Sequence, residues 1–409
     1  MIVDDTTLQS LDPVLYISYD GMLESLGQSQ VLCYLESLAR HRRIYLISFE
    51  KPADLALSRL KASIADRISN AGIDWYPIRY HKRFSLLATL FDVSVGALCA
   101  LRIILRQNIR IVHARSYVAA VIALTLNTLL GIRFIFDMRG FFPNERVDGG
   151  LWQPTSLVFR LAKRFEKIFL RRADFVISLT NAAVPELRRM QIYKHGFPQT
   201  VVIPTCADLE RFKPVLRAHY PRLVGYVGTV GRWYLFEPVA YCFARLSVMR
   251  PDLRFLILNQ KEHVQIRECL SAAGVPMDRV DLRSVAFEEI PQWVSMMSAS
   301  IFFTKQVFSV KAAAPTRLAE LLGCGVPCLT NTGVGDMEEQ LAELKCGVTV
   351  SSFDPSALNA GLDALLQLMA EPNIVQRCRE TALRHFSLEE GVKRYAAVYA
   401  SLGLQPKRT

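Results

Sequence analysis

The stretch KAAAPTRLAELLGCGVPCLTNTGVGD, residues 311–336, contains a helix, a glycine turn, a buried strand and a second glycine-rich turn. Pro315 suits the first turn of that helix, where its missing N–H group would have had no partner. The amides of Thr316 and Arg317 then point out of the helix N-terminus, an end that attracts phosphate. Glu320 follows one turn later, where a carboxylate suits ribose hydroxyls. The stretch is typical of a nucleotide site, although an ordinary helix–strand unit with a solvated Glu320 has the same pattern.

Length and charge restrict the class of protein and the kind of partner. At 409 residues the chain is too long for one core, and we expect two or three domains. A hydrophobic content of 51% with 21% charged residues is that of a globular protein. The net charge of +11 favours an anionic partner such as a nucleotide or a phospholipid surface. Nucleic acid is not expected, because no zinc-finger or RNA-binding signature accompanies the charge.

The nine cysteines are scattered, and the nearest pair, Cys324 and Cys328, has no second pair to complete a zinc site. We therefore predict neither a metal nor a cofactor. An odd cysteine count fits a reducing compartment, and residues 1–10 do not have the pattern of a signal sequence. A cytoplasmic location is expected.

An apolar segment, residues 86–105, comes closest to a membrane span, but Asp92 and Arg102 interrupt it. Basic residues flank it on both sides: Arg79, His81, Lys82, Arg83, Arg106 and Arg110. Such a helix can lie on an anionic membrane surface, which predicts a peripheral location on the cytoplasmic face of the inner membrane. It can equally be a buried helix of an α/β domain, and both interpretations stay open.

Apolar strands alternate with helices along the whole chain, interrupted by a polar, proline-bounded linker at residues 205–221. The pattern predicts two doubly wound Rossmann-like α/β domains that face each other across a cleft, with ligands at the carboxyl ends of the strands. The predicted strands are residues 14–18, 44–49, 73–78, 111–115, 133–137, 174–179, 201–204, 223–228, 253–258, 280–285, 300–304, 327–331 and 347–350.

The second half opens with YVGTVGRWY, residues 226–234, in which Gly228 and Gly231 allow close backbone approach and Arg232 can reach a phosphate. A turn pair of glycines with a surface arginine is the alternative. The spacing is not the dinucleotide fingerprint, and residues 253–259 (LRFLILN) do not end in the acid that NAD requires. This argues against a dehydrogenase.

Basic residues follow other strands of the second half. Lys305 ends a predicted strand, and Lys311 lies in the loop beyond it. Together with Arg232 and Arg317 they would neutralise a diphosphate leaving group, each donor contributing roughly 3 kcal/mol to lowering the barrier. Each of the four taken alone is equally typical of a surface charge.

In the first half, His113 lies within a strand, where a histidine is either packed in the core or functional. Residues 138–150 are predicted as a loop, and Arg139 and Glu145 belong to its dense set of charges. A glycine loop with Gly21 and Gly27 follows the first strand. It lacks G-x-G-x-x-G and is a weak nucleotide signal.

Seven motifs carry a resemblance along nearly the whole chain. They are YDGMLESLGQSQ (19–30), FDMRGFFPNERVDGGLW (136–152), ADFVISLT (173–180), IPTCADLERF (203–212), YVGTVGRWY (226–234), APTRLAELLGCGVPCLTNTGVGD (314–336) and HFSLEEGVKRYAAVYASL (385–402). In order and spacing the chain resembles the retaining nucleotide-sugar glycosyltransferases of the GT-B fold, glycosyltransferase family 4, in the bacterial surface-polysaccharide branch.

The resemblance implies that residues 211–386 hold the nucleotide-sugar donor, while residues 1–210, joined by a C-terminal helix at 387–409, hold the acceptor. Glu320 matches the second Glu of the family's E-x7-E motif, which usually holds the ribose, whereas the first falls on Ala312. The implied donor residues are Glu320, Thr316, Arg317, Lys311, Gly228 and Gly231; the catalytic ones are Arg232, Lys305 and His113; and the acceptor side has Gly27, Asp20, Arg139 and Glu145.

The implied enzyme is a hexosyltransferase-type glycosyltransferase. It would move a sugar from a nucleotide-diphosphate sugar to a saccharide or lipid-linked saccharide, with retention, in polysaccharide or glycolipid biosynthesis. Retention would follow from front-face attack assisted by the leaving phosphate. Two alternatives remain: a nucleotide-sugar epimerase or hydrolase of the same fold, and a non-catalytic family member in a polysaccharide assembly, which the absence of a carboxylate at Ala312 motivates.

Overall fold

The computed structural model describes residues 11–81, 85–190, 196–215, 223–286 and 288–403. The chain divides into two compact units, of which unit 1 is Met1–Ile203 with Leu388–Thr409 and unit 2 is Pro204–Ser387. The first division lies seven residues before the predicted boundary at 210/211. The physical reason is that the segment after Pro204 packs on unit 2, where the Ala207 amide donates to the Phe386 carbonyl at 3.0 Å.

Unit 1 is built on a seven-stranded parallel sheet with the order β3-β2-β1-β4-β5-β6-β7. Its strands are β1 (Val14–Ser18), β2 (Ile44–Glu50), β3 (Ile73–Arg79), β4 (Ile111–Arg115), β5 (Arg133–Asp137), β6 (Phe175–Ser178) and β7 (Gln199–Val202). The residues of β1, β2, β4 and β5 are all buried, as expected where helices cover both faces of a parallel sheet.

The first helix, α1, is built from Ser25–Gly27, a π-helical turn Gln28–Leu32 and Cys33–Ala39. Further helices of unit 1 are α2 (Pro52–Leu55), α3 (Ser58–Asn70), α4 (Ser85–Gln107), α5 (Ser116–Leu130), α6 (Phe142–Asp148), α7 (Leu157–Arg172) and α8 (Ala183–Arg189). The prediction of an irregular loop over residues 138–150 was wrong, because α6 lies within it. Pro143 occupies the first turn of α6, and the Phe142 ring packs against Tyr117 and Trp152.

Unit 2 is built on a six-stranded parallel sheet with the order β11-β10-β8-β12-β14-β15 and a two-stranded antiparallel sheet, β13-β9. Its strands are β8 (Leu223–Val227), β9 (Tyr234–Leu235), β10 (Arg254–Leu258), β11 (Val280–Arg283), β12 (Met297–Ile301), β13 (Phe303–Thr304), β14 (Cys328–Asn331) and β15 (Gly347–Val350). The predicted strand 300–304 is therefore two strands in different sheets. Because Phe303 and Thr304 pair with the loop after β8, they leave the main sheet.

The helices of unit 2 are α9 (Glu237–Met249), α10 (His263–Ala272), α11 (Ile290–Ser295), α12 (Thr316–Gly323), α13 (Met337–Glu343), α14 (Pro355–Ala370) and α15 (Ile374–Phe386). Short 3-10 turns cover Met277–Arg279 and Phe308–Ala312. Each unit is a doubly wound parallel sheet, which confirms the predicted α/β fold class for both halves of the chain.

The last helix, α16 (Leu388–Gly403), belongs to unit 1. Its Tyr395 hydroxyl donates to the buried Asp137 carboxylate at 3.0 Å, and its Tyr399 hydroxyl lies 2.7 Å from Nδ1 of His113. Two tyrosines of the C-terminal helix thus satisfy polar groups inside the first sheet.

We predict that Tyr395→Phe destabilises unit 1 by about 1–3 kcal/mol, because the buried Asp137 carboxylate loses a donor. Its second oxygen, Oδ1, already has no hydrogen-bond partner among the described residues. The free energy of unfolding in urea measures the loss. Tyr45→Phe is the control, since the Tyr45 hydroxyl donates to the side-chain oxygen of the exposed Gln107, which water can satisfy instead. Equal losses in the two variants would contradict the role given to Tyr395.

Candidate functional site

The loop after β8 is held rigidly at the carboxyl edge of the unit 2 sheet. The Gly228 amide donates to the Leu258 carbonyl at 2.9 Å, and Nδ2 of Asn259 donates to the Gly228 carbonyl at 2.9 Å. The Tyr226 hydroxyl donates to the Thr229 carbonyl at 2.5 Å. Gly228 has a φ of +114°, which only glycine adopts readily. These contacts hold the backbone groups of the loop in a fixed position at the edge of the sheet.

Helix α12 begins directly beside that loop. A Cβ atom built on Gly228 would lie 2.3 Å from Nη2 of Arg317, so the absent side chain of Gly228 makes room for the guanidinium. The guanidinium carbon lies 3.8 Å from the centre of the Tyr234 ring and 5.3 Å from that of Tyr226. Arg317 is only 8% exposed, which argues against the alternative that it is an ordinary surface charge.

Nη1 of Arg317 is buried and has no hydrogen-bond partner among the residues that the structure describes. A buried cationic donor without a partner is costly, and an anion at this place would satisfy it. The amides of Thr316 and Arg317 open the same helix, where backbone N–H groups and the helix dipole also favour an anion. Side chain and backbone of one helical turn therefore suit a phosphate.

The predicted lysines lie on neighbouring segments. The Lys305 amide donates to the Trp233 carbonyl at 2.9 Å, so Lys305 is adjacent to the loop after β8. Lys311 is half-buried, with its ammonium 5.6 Å from the centre of the Phe308 ring. Gly231 bridges to Tyr234 across the turn of that loop. Lys305 and Lys311 thus add two cations near the carboxyl edge of the unit 2 sheet.

Arg232 is exposed and has a φ of +45°, an unfavourable value for a residue with a side chain. Within the described ranges it makes no ion pair or side-chain hydrogen bond, so its predicted catalytic role stays a prediction. Ala312 ends the 3-10 turn and is buried, so no carboxylate stands at that position.

Glu320 lies one turn along α12 and is half-buried. Burial raises the pKa of Glu320 to about 7, against the opposing effect of Arg317 and Arg211. The carboxyl group therefore changes charge near neutral pH, and in its ionised form it accepts hydrogen bonds from hydroxyl groups.

A second candidate site is a pocket of about 400 Å³ in unit 1. The Tyr19 ring packs 4.8 Å from Phe49 and 5.4 Å from Tyr80, centre to centre. The lining residues are Tyr19, Asp20, Glu24, Phe49, Lys51, Pro52, Ala53, Tyr80 and Arg146. Lys51 forms an ion pair with Glu24. Aromatic faces combined with carboxylates and cations suit a ligand with apolar faces and many hydroxyl groups, such as a sugar.

The four predicted acceptor residues have different environments. Asp20 lines the pocket, and its Oδ2 accepts from Nε of Arg115 at 3.3 Å. Glu145 is half-buried in α6 beside the pocket residue Arg146, and burial raises its pKa to about 7. Arg139 follows β5 with a φ of +56°. Gly27 is buried, and a Cβ there would lie 2.0 Å from the Gly21 carbonyl, so close packing explains that glycine.

His113 is completely buried inside unit 1. Its Nδ1 lies 2.7 Å from the Tyr399 hydroxyl, and its Nε2 lies 3.5 Å from Oδ2 of Asp137. Burial lowers the pKa of His113, although Asp137 opposes the shift. The structure favours a packing role for His113 over the predicted catalytic one, because the ring has no exposed surface.

Sequence reasoning missed Arg115, Tyr19 and Tyr80. Arg115 ends β4, is buried, and has no hydrogen-bond partner for Nη1 in the described part of the chain. A charged residue at the last position of an apolar strand lies at the ligand-binding edge of a parallel sheet, and this signal could have found it. No comparable signal exists for the tyrosines, since their cluster forms only when β1 and β3 are placed in one sheet.

We predict that Glu320→Gln gains stability relative to the parent chain as the pH rises from about 5 to about 8. The pKa of Glu320 is raised, so the protonated form favours the folded state and this advantage is lost as the pH rises through about 7. The expected gain at the higher pH is about 1–3 kcal/mol. Thermal melting at both pH values measures it. Glu338→Gln, on the exposed part of α13, is the control and should leave the profile unchanged.

Residues 53–206 match the family model of the glycosyl transferase 4-like domain. A search of curated proteins found no match to the chain. Sucrose-phosphate synthase from Thermosynechococcus elongatus is 16% identical, with a TM-score of 0.70, over 96% of this chain and 99% of that one.

Two further solved structures cover nearly the whole chain. Anabaena HepE, solved in complex with UDP-glucose, is 13% identical, with a TM-score of 0.65, over 95% of this chain and 100% of that one. WaaG, a glycosyltransferase involved in lipopolysaccharide biosynthesis, is 14% identical, with a TM-score of 0.63, over 94% of this chain and 99% of that one. The chain therefore has the GT-B fold, and its residues 53–206 are similar to glycosyl transferase 4-like domains.

Proposed function

We propose that the chain is a glycosyltransferase that uses a nucleotide-diphosphate sugar as donor. The observation that carries this proposal is the buried guanidinium of Arg317, at the start of α12 and against Gly228, whose Nη1 has no hydrogen-bond partner in the part of the chain that the structure describes. A diphosphate would satisfy this donor together with the free amides of the first turn. The glycosyl transferase 4-like match and the UDP-glucose complex of HepE support the same class of donor.

The ribose of the donor would bind at Glu320, whose carboxylate accepts hydroxyl groups when ionised. This carboxylate lies one helical turn from the amides of Thr316 and Arg317, so one helix would hold both the diphosphate and the sugar of the nucleoside. Gly228 and Gly231 would let the loop backbone approach the phosphates, and Lys311 would add charge.

In the transfer step the acceptor oxygen bonds to the anomeric carbon of the donor sugar while the bond from that carbon to the diphosphate breaks. The acceptor hydroxyl proton passes to the leaving phosphate oxygen. Lys305, Arg317 and Arg232 would stabilise the charge that develops on the diphosphate, at roughly 3 kcal/mol for each well-placed donor. We propose front-face attack with retention, and a hexosyl group as the transferred unit.

The acceptor would be a saccharide or a lipid-linked saccharide in polysaccharide or glycolipid biosynthesis. The pocket beside Tyr19 and Tyr80 supports a saccharide acceptor, because aromatic rings offer apolar faces and Asp20 accepts hydroxyl hydrogen bonds. The likeness to WaaG, which is involved in lipopolysaccharide biosynthesis, supports a lipid-linked one. Such an acceptor would be met at the cytoplasmic face of a membrane.

A second candidate function rests on Ala312, where the resemblance led us to expect a carboxylate. A non-catalytic member of a polysaccharide assembly would bind a nucleotide sugar at Arg317 and Glu320 without transfer.

An epimerase or hydrolase of the same fold is the other alternative, and it would turn over the nucleotide sugar in the absence of any acceptor. Turnover measured with and without acceptor separates these two functions from the transferase.

We predict that one nucleoside diphosphate among UDP, GDP and ADP raises the melting temperature of the protein. At about one hundred times its dissociation constant, the ligand stabilises the folded state by about 2.7 kcal/mol. Glu320→Ala should reduce the shift, since the ribose loses its acceptor, whereas Glu338→Ala should leave it unchanged. Thermal melting with each nucleotide, and with CMP and NAD, is the measurement. A shift with NAD alone, or with none of them, would overturn the proposed donor class.

We predict that Tyr80→Ala and Asp20→Asn each raise the KM for the acceptor about tenfold, or ~1.4 kcal/mol, with no effect on nucleotide binding. Both side chains line the pocket of unit 1. Initial rates of sugar transfer against the concentration of an extracted glycolipid acceptor measure the change. Tyr76→Ala is the control, because Tyr76 lies on β3 outside the pocket. A change in KM for the donor alone would contradict the assignment.

A further inference from the structure

The outward face of α4 carries large apolar side chains from its first turns to its last. Leu87, Leu90, Phe91, Leu98 and Leu105 are 54% to 70% exposed. The opposite face of the helix is buried, with Ala88, Asp92, Gly96 and Ala100 spaced at four residues. A soluble domain normally presents polar residues on the outer side of such a helix, so these side chains indicate a surface that something covers.

The neighbouring helices extend this surface. Helix α5 packs between α4 and α7, and its Leu129 is 68% exposed. On α7, Leu157 is 76% and Leu161 is 47% exposed. We call the outward side of α4, α5 and α7 the three-helix face. Exposed leucines on all three helices make it a broad apolar surface and not a single chance residue.

The exposed charges of the three-helix face are all positive. They are Arg102, Arg106, Arg160, Arg164, Lys167, Arg171 and Arg172. The acidic residues in the sequence of these helices are Asp92 and Glu166, and both are buried. Leucine and basic residues together, without exposed carboxylates, match the composition of surfaces that lie in the headgroup region of an anionic bilayer.

We propose that the three-helix face docks on an anionic lipid bilayer. The leucines enter the boundary between headgroups and acyl chains, and the basic side chains meet lipid phosphates. A second copy of the chain is a poorer occupant, because two such faces would bring like charges together.

The face lies on the bilayer and does not cross it. Among the described helices, one stretch, Leu87–Gln107 of α4, is long and apolar enough to span a membrane. The inner side of α4 packs on the rest of unit 1. There the buried Asp92 carboxylate accepts hydrogen bonds from the Tyr19 hydroxyl at 2.9 Å and from the His81 amide at 3.1 Å. Crossing would expose this carboxylate to acyl chains.

Docking would also bring the pocket of unit 1 to the membrane surface. The Phe91 ring on the three-helix face lies 5.2 Å from the His81 ring, and His81 follows the pocket residue Tyr80. A lipid-linked saccharide would then reach the pocket without leaving the bilayer. This last step rests on the proposed function, whereas the docking itself does not.

The test is binding of the full chain to vesicles of phosphatidylcholine with about 30% phosphatidylglycerol, measured by flotation. The apolar variant Leu87→Gln, Leu98→Gln, Leu105→Gln should bind about tenfold more weakly or worse. Its matched control is Val248→Gln, Val264→Gln, Leu383→Gln, which removes three apolar side chains exposed on unit 2 and should bind like the parent.

The charge variant Arg160→Gln, Arg164→Gln, Lys167→Gln should lose binding by a similar factor, and the loss should shrink at high salt. Its control changes three basic residues that are exposed on unit 2: Lys261→Gln, Arg267→Gln, Lys345→Gln.

Thermal melting verifies that every variant is folded. Failure of the parent to bind, equal binding to vesicles of phosphatidylcholine alone, or unchanged binding of both variants would overturn the proposal. So would a dimer in light scattering that the apolar variant abolishes. Nucleotide binding is measured on the same proteins. A parent chain that binds a nucleotide but no vesicles would overturn the docking proposal and leave the proposed function standing.

Discussion

The Arg317 guanidinium under Gly228 is the constraint on which the candidate donor site depends. A charged group that is 8% exposed must be held by its surroundings, and three aromatic rings, those of Tyr226, Tyr234 and Phe302, surround it. Cation–π contacts offset part of the desolvation cost, but Nη1 still has no hydrogen-bond partner among the described residues. The side chain is therefore fixed in place before any ligand arrives, which is the condition for strong electrostatic binding.

That arrangement explains several separate features of unit 2. Gly228 is needed because any side chain would occupy the space of the guanidinium. The strand pair β9–β13 holds Tyr234 against the guanidinium and pairs Phe303 outside the main sheet. Asn259 fixes the loop from the other side, through the carbonyl of the same glycine. A glycine, a strand pair outside the main sheet and a polar residue at a strand end thus all contact the buried cation or the loop beside it.

The fold could be predicted from sequence because its signals are local. Runs such as VLYIS at 14–18 and IVHAR at 111–115 are apolar enough to be central parallel strands, and proline at 315 marks a helix start. The environment of Arg317 could not be predicted, since periodicity shows which residues of a helix are apolar but not which side chains from distant segments meet. His113 shows the same limit: its partners Tyr399 and Asp137 come from α16 and β5. The prediction of a loop at residues 138–150 was wrong for a different reason. Its residues are polar, but aromatic packing holds part of them in a short helix.

Helix α4 shows why the two interpretations of its sequence could not be separated before the fold was known. Its apolar residues are numerous enough for two faces, and composition alone assigns neither to the core. The sheet covers one face, which accounts for Ala88, Gly96 and Ala100, where small residues allow close packing. The other face remains open with Leu87 and Leu98 on it. The interpretation as a buried helix thus holds for the side of α4 that packs on unit 1, and the interpretation as a membrane-surface helix stays a proposal for the open side. The positive charge of the chain includes a buried arginine that suits a diphosphate and exposed basic side chains that suit lipid phosphates.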